Sequence, residues 1–552
     1  MNSQWYKDAV IYQIYPRSFC DSNNDGMGDI KGIISKLDYL KDLGVNCVWL
    51  SPVYESPQED NGYDISDYRN IYPPFGTMED FKTMLIEMHK RGIRLIMDLV
   101  VNHTSSEHKW FKEALKDPSS PYRDYYYFKK GKKGKVPNNW TGFFGGSVWE
   151  KVENEEDMYY LHLFAKGQPD LNWENIKVRE EVKDILKFYL DMGVDGFRCD
   201  VITLISKKQD FKSRRPKIAL TGGDAYINGP RLHEYLHELN KDVISKYDAM
   251  TVGETVLSSL EDVKLLAGEE REELSMVFNF DHTDVDNYLG VKWLYRPFKL
   301  KRWKKTFRKW QNGLHNISWN SLFIENHDQR RCVGRFNTSD KELRVESAKM
   351  LATTYFLMQG TPFIYQGQEL GMTSGDFKTI DDFKDVETHN MYKLKNDVKI
   401  LAPILNKSLF MCSRDNARTP FQWDKSEYAG FSKCKPWIKV NANKEYINAE
   451  DEIADEDSVL NYYKKLIAFR KGNKVIKEGE YIDLLPRDRN IFMYKRKSEV
   501  GEVIVLSSFS KEKVKFKRND LLEGYELVLT NYKENEKDYL KPYETRLYKK
   551  GF

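Results

Sequence analysis

The sequence predicts an α/β protein built on a (β/α)8 TIM barrel, with a subdomain inserted after the third strand and an antiparallel β domain at the C-terminal end. Three observations carry this. Short apolar runs alternate with helix-period stripes until eight runs have been passed. Residues 104–173 interrupt that rhythm with a polar, aromatic, Gly- and Lys-rich stretch far longer than a βα loop. From 481 the pattern changes to short alternating runs separated by turn residues. The expected units are therefore a barrel over 1–103 and 174–480, an inserted subdomain over 104–173 and a β domain over 481–552.

A first strand over 9–15 ends at Pro16, and Ile30, Ile33, Ile34, Leu37, Leu40 and Leu43 form a helical stripe that stops at Gly44. The second strand covers 45–50. Thr77 and Asp80 make a capping box for a helix ending near Gly92, and the third strand, 93–101, leads into Asn102 and His103. A helix over 174–192 restores the alternation. Strands follow at 193–201, 250–254, 274–280, 321–325 and 362–366, and a helix over 457–470 closes the barrel. In the last segment the runs at 491–494, 503–506 and 525–529 read as antiparallel strands.

At 552 residues the chain exceeds one ordinary core, and 40% hydrophobic with 14% aromatic residues fills a large interior. Lys+Arg 87 against Asp+Glu 84 leaves +3, so net charge implies no nucleic acid or other polyanion. The basic run at 129–135 reads as a solvated loop. In 301–314, Trp303, Phe307, Trp310 and Leu314 recur at helical spacing, so the lysines between them are expected on a wet face. Six cysteines show no C-x-x-C pair, the start lacks a leader pattern, and no apolar run approaches a membrane span. A reduced, cytoplasmic monomer without an organic cofactor is expected.

Residues 21–29, Asp-Ser-Asn-Asn-Asp-Gly-Met-Gly-Asp, place oxygen donors at alternate positions around a glycine turn. Hard divalent cations need several such oxygens, so Asp21, Asn23, Asp25 and Asp29 by side chain and Met27 by carbonyl form a candidate structural Ca²⁺ or Mg²⁺ loop. The terminal Glu of an EF-hand loop is missing, and an Asx-rich turn is the simpler alternative.

In such a barrel, chemistry collects at the C-terminal ends of the strands. Those ends carry Asn102-His103, Arg198 and Asp200, Glu254, and Asn326-His327-Asp328. Three carboxylates at one mouth suit glycosidic bond cleavage, in which one carboxylate attacks the anomeric carbon and an acid of raised pKa protonates the leaving oxygen. An arginine beside the nucleophile would hold it ionised.

Residues 98–103 (DLVVNH), 196–200 (GFRCD), 252–254 (VGE) and 323–328 (FIENHD) resemble the four signature regions of the alpha-amylase superfamily, in order. The resemblance implies Asp200 as nucleophile, Glu254 as general acid/base and Asp328 as the third carboxylate, with retention of configuration. A finer likeness, through 61–68, 168–173, 229–231, 413–420 and the loop at 21–29, is to the oligo-1,6-glucosidase branch. It implies an Asp64–Arg414 clamp on a terminal glucose, stacking by Tyr63, Phe144 and Phe164, sugar hydrogen bonds from His103 and His327, and α-1,6 preference from Val201 beside the nucleophile. The expected partner is a small oligosaccharide. Arg330-Arg331 departs from the branch, which usually has Pro after Asp-Gln, on a loop expected to shape the outer site.

Trehalose-6-phosphate hydrolase is the nearest alternative and would need a basic pocket, for which Lys299 to Lys305 is the candidate cluster. Broad α-glucosidase or dextran glucosidase activity is another alternative. A sucrose isomerase is disfavoured by the residues after Asp200. A non-catalytic transporter subunit would lack the carboxylates and carry a membrane helix.

Overall fold

The eight apolar runs form β1 (Ile11–Ile14), β2 (Cys47–Leu50), β3 (Arg94–Leu99), β4 (Gly196–Cys199), β5 (Met250–Glu254), β6 (Met276–Phe278), β7 (Trp319–Leu322) and β8 (Thr361–Tyr365). In this computed structural model, which describes residues 4–551 except 218, 289 and 398–401, they close into a parallel barrel in which each strand pairs with its neighbours in sequence. The first three residues of the segment read for a leader thus lie outside the described residues.

Strand residues alternate between two cores. Ile11, Trp49, Ile96, Val252, Phe278 and Phe363 fill the barrel interior, while Tyr12, Val48, Leu95 and Phe197 pack outward beneath the helices. That period decides which functional side chains point into the barrel.

The stripe from Ile30 to Leu43 forms two helices, Ile30–Ser35 and Leu37–Leu43, instead of one. The break is at Lys36, whose N–H reaches the carbonyls of both Ile33 and Ile34 and whose ammonium lies 4.2 Å over the Trp423 ring. The Thr77–Asp80 capping box opens the helix Met78–Lys90.

The helix Leu300–Leu314 buries Trp303, Phe307, Trp310 and Leu314. Lys304, expected on the wet face, is buried with them. Its ammonium donates to the carbonyls of Leu485, Asp488 (2.9 Å) and Ile491 (3.0 Å), three acceptors that compensate its lost hydration.

Between β3 and the helix Ile176–Met192, the strands Phe128–Lys130, Met158–Leu161 and Trp149–Lys151 form a small antiparallel sheet with Met158–Leu161 in the middle. After the helix Val459–Arg470, a five-stranded sheet follows the order Glu480–Asp483, Ile491–Ser498, Gly501–Ser508, Thr545–Lys550, Glu526–Thr530. The six cysteines are free, and no described helix is long and apolar enough to cross a membrane.

Candidate active site

Asp98 on β3 pairs in register with Arg198 on β4, and Arg198 with Val252 on β5, so Asp98, Arg198 and Glu254 all project into the upper barrel. The close approach of β4 and β5 needs Gly196, at φ 153°, because a Cβ there would lie 2.2 Å from the Met250 carbonyl oxygen.

The buried Arg198 guanidinium is shared among three carboxyls. Nη1 donates to Asp98 at 2.5 Å and to Asp200 at 2.6 Å, and Nη2 donates to Glu254 at 2.6 Å. Asp98, quoted within a motif but given no role from sequence, is therefore part of the site and also accepts from Trp49 Nε1 at 2.8 Å. Burial pushes the Asp200 and Glu254 carboxyls up to about 7 and Asp98 up to about 6, against the pull of Arg198. Arg198 is thus a common counter-ion to the three, not a private partner of Asp200. The Asp200 charge adds to the rise of Glu254.

Asp328 behaves oppositely. Burial alone would raise it, but His327 at 3.1 Å, Arg418 at 2.7 Å and Arg414 at 3.5 Å outweigh burial and hold it well below the usual carboxylate range. Its carboxyl is thus pulled down where those of Asp200 and Glu254 are pushed up.

The expected Asp64–Arg414 pair does not form. Asp64 is fully buried and accepts from Ser56 Oγ (3.0 Å) and the N–H groups of Glu59 (2.8 Å) and Asp60 (3.1 Å), so its carboxylate is consumed in closing its own turn. Arg414 instead donates to Asp60 at 3.0 Å and Asp385 at 2.7 Å, with Glu387 at 3.8 Å from its Nε. Asp60 immediately precedes the motif at 61–68, and the turn swaps the roles of the two aspartates. Asp385 and Glu387 lie in a stretch whose sequence carries no strand-end signal.

A cavity of about 880 Å³ opens above these groups, lined by Asp60, Tyr63, His103, Asp200, Glu254 and Asp328. Phe144 and Phe164 also face it and meet edge-on at 5.5 Å, with the Arg414 guanidinium 5.2 Å from the Phe144 ring. His103 accepts from Asn102 at Nδ1 (3.2 Å), which leaves Nε2–H directed at the Tyr63 carbonyl (3.0 Å).

His327 differs from expectation: it stands behind the cavity. Its Nδ1 accepts from Gln13 at 2.8 Å and its Nε2 meets the Tyr63 hydroxyl at 2.8 Å, so both ring nitrogens are engaged by protein. The Tyr63 and His327 rings stack with centroids 5.4 Å apart, making His327 a support for the Tyr63 wall.

Val201 lines the cavity next to Asp200 in a left-handed conformation, φ 36°, which is strained for a β-branched residue. Its N–H donates to Glu254 Oε2 at 3.2 Å, tying the residue beside one carboxyl to the other.

In the loop at 21–29, the carboxylates turn inward. Asp21 accepts from the N–H groups of Asn24 (2.7 Å) and Gly26 (2.9 Å), Asp25 from Met27 (2.8 Å), and Asp29 from Ser22 (2.7 Å). Among the described residues no three His, Cys, Asp or Glu side chains stand together as a metal-binding group, so a cation here would draw on Asn23 and the Met27 carbonyl as well. The donors are all hard oxygens, which fits Ca²⁺ or Mg²⁺.

Residues 13–479 match the family model described as the alpha amylase catalytic domain. The chain is 53% identical to an oligo-1,6-glucosidase of Parageobacillus thermoglucosidasius over 100% of this chain and 99% of the relative, and 49% identical to one of Bacillus cereus over 100% of both. It is 47% identical to a trehalose-6-phosphate hydrolase of Bacillus subtilis over 99% of this chain and 98% of the relative. Among solved structures, the trehalose-6-phosphate hydrolase of Bacillus licheniformis aligns with TM-score 0.92 at 46% identity, and isomaltulose synthase from Klebsiella sp. LX3 with TM-score 0.95 at 41%, each covering 99% of both chains.

Proposed function

Because the chain belongs to the alpha-amylase family of glycoside hydrolases, we propose that it is a retaining exo-acting α-glucosidase that removes single glucose units from isomaltose and isomalto-oligosaccharides by cleaving α-1,6 bonds. The observation that carries this reading is one guanidinium, Arg198, bridging Asp200 and Glu254 beside a cavity end closed by Arg414 with Asp60 and Asp385. Two carboxyls held on one guanidinium are neighbours, and the retaining mechanism is the one that uses the closer of the two carboxyl pairings found in glycosidases.

In this reading Asp200, ionised against Arg198, attacks the anomeric carbon while Glu254 gives its proton to the leaving oxygen. Glu254, left as carboxylate, then takes a proton from the water that releases glucose with retained configuration. A raised Glu254 suits the first step. Asp328, held anionic, and Arg414 grip the sugar hydroxyls. The walls are Tyr63, Phe144 and Phe164, with Val201 as the linkage gauge.

The basic cluster that the sequence offered for a phosphorylated sugar is not at the cavity: Lys304 is spent on the C-terminal domain, and Lys299, Lys301 and Lys305 are exposed away from the cavity lining, while of the lysines that do line it, Lys217 and Lys292, the second is paired with Glu387. The oligo-1,6-glucosidases of Parageobacillus thermoglucosidasius and Bacillus cereus, at 53% and 49%, also exceed the 47% identity of the Bacillus subtilis trehalose-6-phosphate hydrolase. The loop at 21–29 is read as a structural cation site, the free cysteines suit a reducing cytoplasm, and a monomer is the state we propose. Initial rates on isomaltose, maltose, sucrose and trehalose 6-phosphate test the assignment. Isomaltose should be turned over with the highest kcat/KM, and a higher value for the phosphorylated sugar overturns it.

A further inference from the structure

The residue that departs from the branch pattern points to a specificity device. Asp286, fully buried, is held by two arginines from the segment after β7. Arg335 donates to it twice, from Nε at 3.0 Å and Nη2 at 2.8 Å, and Arg330 donates from Nη2. The Asp286 carbonyl accepts from Arg296 N–H at 2.8 Å, so this aspartate sits at the base of the hairpin Asn287–Tyr288/Val291–Tyr295. The Arg330 guanidinium lies 5.2 Å over the ring of Tyr295, at the end of the returning strand.

That hairpin is a cavity wall. Asn287, Val291, Lys292 and Trp293 line the cavity, and the tip carries Tyr288, 54% exposed. Arg335 alone gives Asp286 a bidentate partner, so a second cation is not needed to neutralise the carboxylate. It adds a second anchor at a cost in desolvation, and burial lowers the Arg330 pKa accordingly. Arg335 also reaches Gln329, next to Asp328, at 2.6 Å, so the same cluster joins the hairpin to the loop bearing the third carboxylate.

The geometry points to Arg330 as a positioning residue that, through Asp286 and Tyr295, fixes the hairpin wall against which the leaving sugar and any acceptor sugar bind. It touches no reacting atom. It sets how firmly the wall is held, and through that the KM for substrates with a sugar leaving group and the division between hydrolysis and transfer.

This inference rests on the glucosidase reading, and the test separates the two. Isomaltose needs the wall for its leaving glucose, whereas α-glucosyl fluoride, whose leaving group is fluoride, does not. In Arg330→Ala and Arg330→Pro, kcat/KM on isomaltose should fall about tenfold, mainly through KM, while kcat/KM on the fluoride stays within about twofold. The share of transfer products at high isomaltose should also change. Arg330→Lys, which keeps the charge and one donor, should recover part of the loss and guards against a folding defect. A parallel fall on both substrates makes Arg330 merely structural, and no change on isomaltose removes it from specificity; either overturns the proposal. A wild-type protein inert on both substrates overturns the glucosidase reading itself.

Discussion

Arg414 donates to Asp60 at 3.0 Å, and Asp64, four residues on, turns its carboxylate back onto the N–H of Asp60. The pair at the cavity end and the turn that presents it are thus built from two aspartates with separate duties. Asp60→Asn should lower kcat/KM on isomaltose by roughly 10–200-fold, the range for 1–3 kcal/mol of lost sugar binding. Asp64→Asn should instead cost roughly 1–3 kcal/mol of folding stability, because it deprives buried N–H groups of an acceptor. Steady-state kinetics and urea unfolding on both variants check this. A larger kinetic loss in Asp64→Asn would return the clamp to Asp64.

The raised carboxyls have a stability consequence whose sign is fixed. Glu254 and Asp200 at about 7, against ordinary values of 4.5 and 3.8, bind more protons folded than unfolded between those limits. Their contribution to stability is fully present below about pH 4 and is lost as pH rises through about 7. Glu254→Gln should therefore be more stable than wild type by about 1–3 kcal/mol at pH 8, with the gain shrinking towards pH 4. Denaturant melts across that range measure it. The same variant should lose the alkaline limb of the bell-shaped kcat/KM profile, while Asp200→Asn should lose turnover by a factor of about 10³ or more with its fold intact.

Val201 is strained, buried and hydrogen-bonded through its N–H to Glu254. Replacing it by Ala keeps that N–H and removes the branch facing the cavity. The isomaltose-to-maltose ratio of kcat/KM should shift towards maltose by about 1–3 kcal/mol. Paired rate measurements decide it, and an unchanged ratio leaves Val201 as wall filling.

A cation in the loop at 21–29 would stabilise only the folded chain. Millimolar Ca²⁺ should raise Tm relative to chelator-treated protein, by the equivalent of about 2–3 kcal/mol at a hundredfold excess over Kd. Asp21→Asn should abolish the difference. Identical melting curves with and without chelator would reduce the loop to the Asx turns already visible in it.

The barrel was legible because its strands are continuous apolar runs, and the strand ends carried Asp200, Glu254 and Asp328 to one mouth. Strand register then explains Asp98, which pairs opposite Arg198 but looks in sequence like one more residue of a buried strand. What sequence left hidden depends on side-chain direction within turns: Asp60 against Asp64, and His327 facing Tyr63 and Gln13 instead of the cavity. Spacing cannot show which of two nearby aspartates spends its oxygens locally. Nor does helical periodicity distinguish Lys304 from the wet lysines around it, since its acceptors lie 181 to 187 residues away.

That separation has a consequence for the order in which the molecule matures. As the chain leaves the ribosome, the helix bearing Lys304 emerges well before Leu485, Asp488 and Ile491, and its ammonium must stay hydrated until they arrive. Burying that ammonium before they arrive would leave it without its three acceptors. A chain that stopped short of Leu485 would thus lack the acceptors that let Lys304 be buried, so the C-terminal domain completes a polar contact that the barrel helix cannot complete for itself.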